Sequence, residues 1–307
     1  MGTVTAVATS KRVDVTVGER TLSLSNLEKV LYPRAGFTKG HVIDYYTRIA
    51  PVLLPHLEGR PLTLKRYPNG VEGGHFYEKR CPDHRPDWVR TAGVWSGRNE
   101  GEVNYCLCED LATLVWLGNL ADLELHTPLH TVPDVERPRV VAFDLDPGPP
   151  ATIVECARVA LRLRDAFDHF GLRAFPKTSG SKGMQVYVPL NTPGLGYADT
   201  RAFSLGVASV LERQWPELVV TDMKKALRRG KVLVDWSQNE RHKTTVCVYS
   251  LRAMERPTVS TPLTWEEVEA VQDPETLVFT SADVLERVAE HGDLFAPVLS
   301  LEQELPR

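Results

Sequence analysis

The sequence predicts an α+β protein organised around a β-α-β-β-α-β unit in residues 139–260. Two patterns start this unit, and the order of the elements that follow completes it. Residues 139–145 (RVVAFDL) have the β-branched, apolar pattern of a buried strand, and the next helix repeats its apolar residues every three or four positions. Two short strands, a second helix and a last strand are then expected at residues 172–177, 184–189, 199–214 and 231–236.

An N-terminal lobe is predicted ahead of this unit, over residues 19–138. Residues 1–18 show no apolar period, which indicates a flexible end. Ser25 followed by Glu28 is typical of the capping box that begins a helix. Apolar spacing predicts two more helices in the lobe, at residues 38–57 and 110–125.

The order of elements in the central unit is that of ferredoxin-like and RNA-recognition-like modules. Its first helix begins at Thr152, where Glu155 completes a capping box, and Gly171 stops it. A further strand is predicted over residues 244–250. Residues 261–307 are expected to form an acidic, helical C-terminal segment.

The net charge of −4 hides a strong asymmetry along the chain. Residues 265–307 carry a net charge of −9, which leaves +5 on residues 1–264. Within that body, residues 222–243 hold seven basic and three acidic side chains. This stretch favours contact with phosphates, although an ordinary solvated surface can have the same composition.

Composition excludes several classes of protein. With 42% hydrophobic and 25% charged residues, the chain is neither disordered nor collagen-like, and no apolar run is long enough to span a membrane. Residues 1–12 lack the apolar core of a secretory signal, so we expect a cytoplasmic protein. Five cysteines fit a reducing compartment, and buried thiols are expected at Cys81, Cys106 and Cys108. The spacing of Cys81, His84, Cys106 and Cys108 is poor for zinc, and no zinc is expected.

Three aspartates are the strongest candidates for chemistry. Asp144 and Asp146 stand two residues apart on the first strand, so both carboxylates face the same side. Asp235 ends the last strand, which in this topology lies beside the first. Three converging carboxylates fit two divalent cations, Mg²⁺ or Mn²⁺. The plainer interpretation is that each aspartate caps a turn.

Residues 178–183 (TSGSKG) separate two strands of the same unit. Glycines allow close approach of the backbone, and serine hydroxyls, amides and the Lys182 ammonium suit phosphate oxygens. A plain hairpin turn has a similar composition, so the motif by itself leaves both interpretations open.

Three motifs in this order resemble one family. Residues 143–148 (FDLDPG), 178–183 and 234–239 (VDWSQN) are similar to those of the polymerase domain of bacterial ligase D, in the archaeo-eukaryotic primase superfamily. The resemblance runs from about residue 22 to about residue 293, and the chain looks like the stand-alone actinobacterial primase-polymerases. It implies a primase-polymerase fold, one polymerase domain in which the catalytic module packs against an N-terminal α/β lobe.

The resemblance also implies roles for individual residues. The metal site would consist of Asp144, Asp146 and Asp235. The nucleotide site would consist of Lys65, Arg66, Phe76, His126, Ser179, Gly180, Ser181, Lys182, Gly183, Gln185 and Arg228. A pocket for a DNA 5′-phosphate would be formed by Asn26, Lys29 and Lys39, and template DNA would contact Tyr77 and Arg252.

Some of these positions have plainer interpretations or depart from the family. A lone histidine such as His126 is more often structural, and Phe76 and Tyr77 are compatible with a buried core. Many relatives have a histidine where this chain has Gln185. Glutamine donates a hydrogen bond but carries no charge, which bears on how tightly a nucleotide binds and on priming.

The implied function is template-directed extension of a primer across short gaps or at broken ends. The family prefers ribonucleotides and uses two divalent cations, Mn²⁺ or Mg²⁺. Expected partners are gapped or broken duplex DNA with a 5′-phosphate, ribonucleoside triphosphates, a separate ligase and an end-binding protein at the nucleoid, and no membrane. The residues alone also allow a haloacid-dehalogenase-like phosphatase, whose site begins Asp-x-Asp, or a non-catalytic DNA-end-binding module.

Overall fold

The N-terminal half combines short strands with two helices. The computed structural model describes residues 12–97 and 100–306. Its first strands are β1 (Arg12–Val17), β2 (Arg20–Ser25), β3 (Val30–Tyr32), β4 (Phe37–Thr38), β5 (Thr63–Arg66), β6 (Phe76–Glu78), β7 (Thr91–Ser96), β8 (Gly101–Cys106) and β9 (Asp122–Thr127). The helices of this half are α1 (Lys39–Leu57) and α2 (Leu111–Asn119).

The beginning of the described chain differs from prediction. Residues 1–11 lie outside the described residues, but residues 12–17 form β1 rather than a flexible end, antiparallel to β2. Valines at every second position give this stretch the period of a strand, and Val15 packs against the core opposite Leu22. The predicted helix at Ser25 is also wrong, because Asn26 takes a left-handed φ of 54° and turns the chain after β2.

Both predicted helices of this half are present, but the second was predicted too long. Thr38 caps α1 by accepting a hydrogen bond from the His41 amide at 3.3 Å, as predicted for a helix over residues 38–57. The second helix is shorter than the predicted 110–125. Its chain turns at Ala121, where φ is 56°, and the next residues enter β9.

The central unit has the predicted order of elements with one addition. It consists of β10 (Val140–Pro147), α3 (Ile153–His169), β11 (Phe175–Thr178), β12 (Met184–Pro189), α4 (Tyr197–Gln214), β13 (Val219–Val220) and β14 (Val232–Asp235). The sheet order is β11-β12-β10-β14-β13, so the first and last predicted strands are neighbours. The two-residue β13 was not predicted, and it pairs parallel to β14 at the sheet edge.

Strand β10 separates two environments. Its odd-numbered residues Val141, Phe143 and Leu145 are buried in a core closed by α3 and α4. Its even-numbered side chains face the N-terminal half, where Ala142 belongs to the other hydrophobic core. Because side chains alternate along a strand, this face also presents Asp144 and Asp146.

An asparagine extends the pairing of β10 beyond the end of β14. The Asn239 side chain accepts a hydrogen bond from the Ala142 amide at 2.9 Å and donates one to the Ala142 carbonyl at 2.8 Å. Asn239 is fully buried, so these bonds satisfy polar groups that would otherwise be costly. The side chain therefore takes the place of a strand residue next to β10.

The C-terminal quarter of the chain packs on both cores. It contains β15 (Thr245–Val246), β16 (Leu251–Ala253), β17 (Pro257–Val259), α5 (Trp265–Ala270), α6 (Ser281–His291) and α7 (Pro297–Ser300). The predicted strand at 244–250 is reduced to β15, and Tyr249 beyond it has a φ of 63°. Strand β15 completes a four-stranded sheet of order β15-β9-β5-β6.

The division of the chain at residues 138 and 260 stays a prediction. Val268 of the C-terminal segment packs in the core of the central unit, whereas Val284 and Val298 pack in the N-terminal core. In the part of the chain that the structure describes, no helix has the length and apolar character needed to cross a membrane.

Candidate active site

The three predicted aspartates share one face of the central sheet. Asp144 on β10 is directly opposite Asp235 on β14 in the antiparallel register. Directly paired residues point to the same side, and so does Asp146, two positions further along β10. The predicted adjacency of the first and last strands is confirmed, whereas a metal site formed by the three acids stays a prediction.

Each carboxylate is held by its own donor. Gln185 Nε2 donates to Asp144 Oδ1 at 3.0 Å, and Arg228 Nη1 lies 3.2 Å from Asp146 Oδ2. Asp235 Oδ1 accepts from the Ser237 amide at 2.9 Å and from its hydroxyl at 2.6 Å. Across residues 12–97 and 100–306, no three His, Cys, Asp or Glu side chains as placed form a group that could hold a metal ion.

The chemistry of the three acids nevertheless fits a divalent cation. Burial raises the pKa of Asp144, and the neighbouring carboxylates of Asp235 and Asp146 raise it further, although the hydrogen bond from Gln185 opposes this. Like charges gathered on one face gain from a cation placed between them, and carboxylate oxygens are the ligands that Mg²⁺ and Mn²⁺ prefer.

The turn over residues 179–183 is built tightly against the protein. The Ser179 hydroxyl accepts from the amides of Ser181 at 3.2 Å and Gly183 at 3.1 Å. A Cβ on Gly180 would lie 2.6 Å from the Val259 carbonyl carbon, and one on Gly183 would lie 2.1 Å from the Leu145 carbonyl oxygen. Both glycines are therefore explained by contact with backbone of this chain, whereas Lys182 beside them is exposed.

A cleft of about 250 Å³ joins the turn to the aspartates. It brings together most of the predicted site, namely His126, Asp144, Asp146, Ser179, Ser181, Lys182, Gly183, Gln185 and Arg252. The lining also includes Gln238 and Thr245, which sequence reasoning missed. Other predicted residues lie outside the lining, namely Lys65, Arg66, Phe76, Tyr77, Gly180, Arg228 and Asp235.

The edge strand β6 presents two aromatic side chains to solvent. Phe76 is 43% exposed and Tyr77 is 58% exposed, so the buried-core interpretation of this pair is wrong. The guanidinium of Arg66 lies 5.2 Å from the centre of the Phe76 ring and 2.7 Å from Glu78. Exposed rings beside basic groups suit stacking with bases.

The three residues predicted to bind a 5′-phosphate lie apart from the cleft, around the turn between β2 and β3 and the start of α1. Asn26 and Lys29 line a depression of about 520 Å³. Neither residue is on a helix, contrary to prediction. Lys39, the first residue of α1, is buried, and its Nζ donates to the Asn119 carbonyl at 3.0 Å. Burial, aided by the neighbouring Lys29 charge, lowers the pKa of Lys39 to about 8.

Comparison with known proteins decides between the families that the motifs allow. The family profile for the LigD primase-polymerase domain matches residues 38–295. The chain belongs to this family. Its members are metal-dependent nucleotidyltransferases of the DNA-directed polymerase and primase type. The haloacid-dehalogenase-like alternative is therefore wrong.

Relatives and a solved structure agree with this membership of the LigD primase-polymerase family. The chain is 40% identical over 277 residues to the multifunctional non-homologous end joining protein LigD of Mycolicibacterium smegmatis, and 34% identical over 285 residues to the bifunctional LigD of Bacillus subtilis. These matches cover 90% and 93% of this chain but 36% and 45% of the relatives, so the chain spans less than half their length.

The structural match is to the polymerase domain of Mycobacterium tuberculosis ligase D, solved in complex with DNA. The TM-score is 0.84 at 38% sequence identity, and the match covers 92% of this chain and 99% of that one. The predicted α+β primase-polymerase fold is confirmed by this match.

The cysteines of this LigD family member correct one prediction. Cys81 and Cys106 form a disulfide, so the prediction of buried free thiols is wrong for these two. The Cys81 amide donates to the Asn104 carbonyl at 2.7 Å, which brings the loop after β6 against β8. Cys108 is a buried free thiol, as predicted, and Cys156 and Cys247 are also buried and free.

The sequence prediction also missed Glu124, which contacts three of the predicted site residues. Glu124 on β9 is only 2% exposed, and it contacts Lys65, His126 and Arg252. A signal was present, because a charged residue within the buried run Leu123–Leu125 must find partners. The motif drew attention to His126 and left its neighbour two positions earlier unexplained.

Proposed function

We propose that this chain extends a DNA primer by template-directed nucleotide transfer at short gaps or broken ends, with a preference for ribonucleoside triphosphates. The observation that carries the proposal is the register of β10 and β14, which sets Asp235 opposite Asp144 on the face that also carries Asp146. A cleft with basic side chains opens beside this face. Acids for cations and bases for phosphates are the two requirements of nucleotidyl transfer.

Asp144, Asp146 and Asp235 would hold two divalent cations, Mg²⁺ or Mn²⁺. When bound, such cations supply activation of the primer 3′-hydroxyl and stabilisation of the departing pyrophosphate. Gln185 orients Asp144 through its 3.0 Å hydrogen bond. Arg228 is paired with Asp146, where its guanidinium is also available to a phosphate.

The cleft offers charge to a nucleoside triphosphate from two directions. Lys182 and Ser181 come from the turn after β11, whereas His126 comes from β9 and Arg252 from β16 on the other side of the cleft. Arg252 Nη1 donates to the Ser179 carbonyl at 3.0 Å and so ties the two sides together. Charge-assisted hydrogen bonds to phosphate oxygens are the strong ones, which supports binding of the triphosphate here.

The remaining predicted residues support contacts with DNA. Exposed Phe76 and Tyr77 would stack on template bases, an interaction worth about 1–3 kcal/mol per base whatever the sequence. Asn26, Lys29 and Lys39 would bind the 5′-phosphate across a gap. In the cell we place this activity in the cytoplasm at the nucleoid, in end joining or gap repair with a separate ligase and an end-binding protein.

The test is extension of a labelled primer on a gapped duplex, with and without the downstream 5′-phosphate, in Mn²⁺ or Mg²⁺. Ribonucleoside and deoxyribonucleoside triphosphates are compared at equal concentration. Template-dependent growth with ribonucleotides used faster, and stimulation by the 5′-phosphate, is the expected result. Binding of the duplex without any extension would instead favour the non-catalytic end-binding module.

A further inference from the structure

Five donor groups surround the carboxylate of Glu124. Its Oε1 lies 3.1 Å from Lys65 Nζ, 3.1 Å from the Tyr67 hydroxyl and 3.1 Å from the Ala253 amide. Its Oε2 lies 3.0 Å from His126 Nε2 and 3.3 Å from Arg252 Nε. One buried carboxylate thus contacts groups from β5, β9 and β16 and from the loop after β5.

The carboxylate is held in its charged form by these neighbours. Burial opposes ionisation, but the hydrogen bond from His126 and the positive charges of Arg252 and Lys65 outweigh it and keep the pKa of Glu124 below its usual range. A buried charge with this many donors is satisfied, and each donor is fixed in turn.

We propose that Glu124 is a positioning residue, which aligns His126 and Arg252 along the cleft, holds Lys65 beside them and fixes the tautomer of His126. This inference rests on the proposed function only for the identity of the ligand. His126 and Arg252 line the cleft, and Arg252 also donates to the Ser179 carbonyl, in the turn over residues 179–183, at 3.0 Å. Displacement of the carboxylate would therefore disturb both sides of the cleft.

The tautomer follows from the hydrogen bond between the two side chains. Glu124 accepts only, so His126 Nε2 must carry a hydrogen. Burial lowers the pKa of His126, although the hydrogen bond to Glu124 opposes this. In the neutral ring, a hydrogen on Nε2 leaves Nδ1 as the acceptor. Among the described residues Nδ1 has no hydrogen-bond partner, and the ring lines the cleft.

Replacement of the carboxylate by an amide inverts this arrangement. In Glu124→Gln, the three donors around Oε1 select the amide oxygen, which turns the amide NH₂ toward His126 and Arg252. The histidine must then accept at Nε2 and carry its hydrogen on Nδ1, and Arg252 loses its anionic partner. The shape of the side chain is unchanged, so a change of packing volume is avoided.

The experiment measures steady-state extension and histidine tautomers in the same variants. For Glu124→Gln we expect the KM for the nucleoside triphosphate to rise about ten-fold or more, with kcat within about three-fold, because charge-assisted bonds orient groups that bind the ligand. The ¹⁵N spectrum of labelled histidine should show His126 as the Nε2–H tautomer in the parent chain and the Nδ1–H tautomer in the variant. The His126 signal is assigned by its loss in His126→Gln.

Two further variants make the result interpretable. Glu124→Asp keeps the charge one carbon shorter and should recover part of the KM. Glu267→Gln is the matched control. Glu267 on α5 is a half-buried carboxylate paired with Arg287 on α6, and neither residue lines the cleft, so the KM of this variant should equal that of the parent chain. A Glu124→Gln protein with lowered thermal stability but unchanged KM and unchanged His126 tautomer overturns the proposal. If the parent chain fails to extend primers, the tautomer measurement still decides the role of Glu124.

Discussion

The two larger sheets of this protein place the candidate functional side chains by different means. In the sheet β11-β12-β10-β14-β13, strand register alone sets Asp235 opposite Asp144 and turns Asp146 to the same side. In the sheet β15-β9-β5-β6, one buried carboxylate, Glu124, collects basic groups from several elements. Backbone pairing builds the first site, whereas side-chain contacts build the second.

This difference predicts how each site fails. Register is shared by a whole strand and tolerates a change in a single side chain. A mutation of Asp144, Asp146 or Asp235 should therefore remove catalysis and leave the backbone geometry unchanged. A network of hydrogen bonds depends on each member, so a mutation of Glu124 should also displace the basic side chains that contact it.

Loss of an acid should remove catalysis and leave DNA binding. We expect Asp144→Ala and Asp235→Asn to slow single-turnover extension by about 10³-fold or more, which corresponds to ~4 kcal/mol of lost transition-state stabilisation. Binding to gapped duplex, measured by fluorescence anisotropy, should stay within about three-fold because no DNA contact is assigned to these acids. Asp165→Asn, on the exposed face of α3, serves as control. Extension that survives in both acid variants would show that the acids on β10 and β14 do not carry the chemistry.

The depression lined by Asn26 and exposed Lys29, which we propose binds a 5′-phosphate, is a third region, and the buried Lys39 is hydrogen-bonded to Lys29 through the backbone. We expect Lys29→Ala or Lys39→Ala to lose about ten-fold of the stimulation that a downstream 5′-phosphate gives, since a charge-assisted bond is removed. Rates on the same duplex without the phosphate are the internal control. Lys39→Ala should also lower the melting temperature, because Asn119 loses a donor. Equal stimulation in the parent chain and both variants would contradict the assignment.

Gln185 links the two sheets, so its loss should have an intermediate effect. Its Nε2 donates to Asp144 at 3.0 Å and to the Thr245 hydroxyl of β15 at 2.7 Å. We expect Gln185→Ala to lower the extension rate about five- to ten-fold, as the carboxylate loses its orienting bond. Thr245→Val removes the bond between Gln185 and β15 and should lower the extension rate about three-fold or less. A larger loss of rate in Thr245→Val than in Gln185→Ala would show that the bond to Asp144 is not the one that supports extension.

Lys177 should affect stability rather than rate. This lysine is fully buried on β11, and its Nζ donates to Ser260 Oγ at 2.7 Å and to the Val246 carbonyl at 3.2 Å. Burial lowers the pKa of Lys177 to about 7, although nearby Cys247 and Asp144 oppose this. Above pH 7 the unfolded chain therefore binds a proton that the folded chain lacks, and the free energy of unfolding should rise with pH.

The expected slope for this one proton is at most about 1.4 kcal/mol per pH unit between pH 7 and about 9.5. Below pH 7 both states bind the proton and the slope should vanish. Lys177→Met should remove the slope while other groups keep theirs, as measured by urea unfolding at each pH. Parallel stability profiles for the parent chain and the variant would show that Lys177 keeps an ordinary pKa.

The central unit was predictable because its signals are local. The capping box of Thr152 and Glu155, the stop at Gly171 with φ of 69°, and the alternation along β10 each depend on a few neighbouring residues. Adjacency of β10 and β14 then followed from topology, and the three acids followed from adjacency.

The N-terminal half was less predictable because its structure depends on distant contacts. A capping-box sequence at Ser25 and Glu28 gave no helix, since Ser25 pairs with Arg12 at the end of a hairpin. Strand β9 was absorbed into a predicted helix because Leu and Ala dominate the residues before it. The partners of Glu124 lie up to 129 positions away, so no local pattern could indicate them.

The two hydrogen bonds between the Asn239 side chain and the Ala142 backbone affect how this enzyme could lose activity. A slip of one residue between β10 and β14 would send the Asp235 side chain to the helical layer, where Leu163 and Phe167 lie. Ala142 lies two positions from Asp144 on the same strand, so such a slip would also leave the buried Asn239 side-chain oxygen and nitrogen without their hydrogen-bond partners. The chain thus penalises the misaligned state twice, and we expect inactive molecules to be unfolded rather than folded with the wrong alignment.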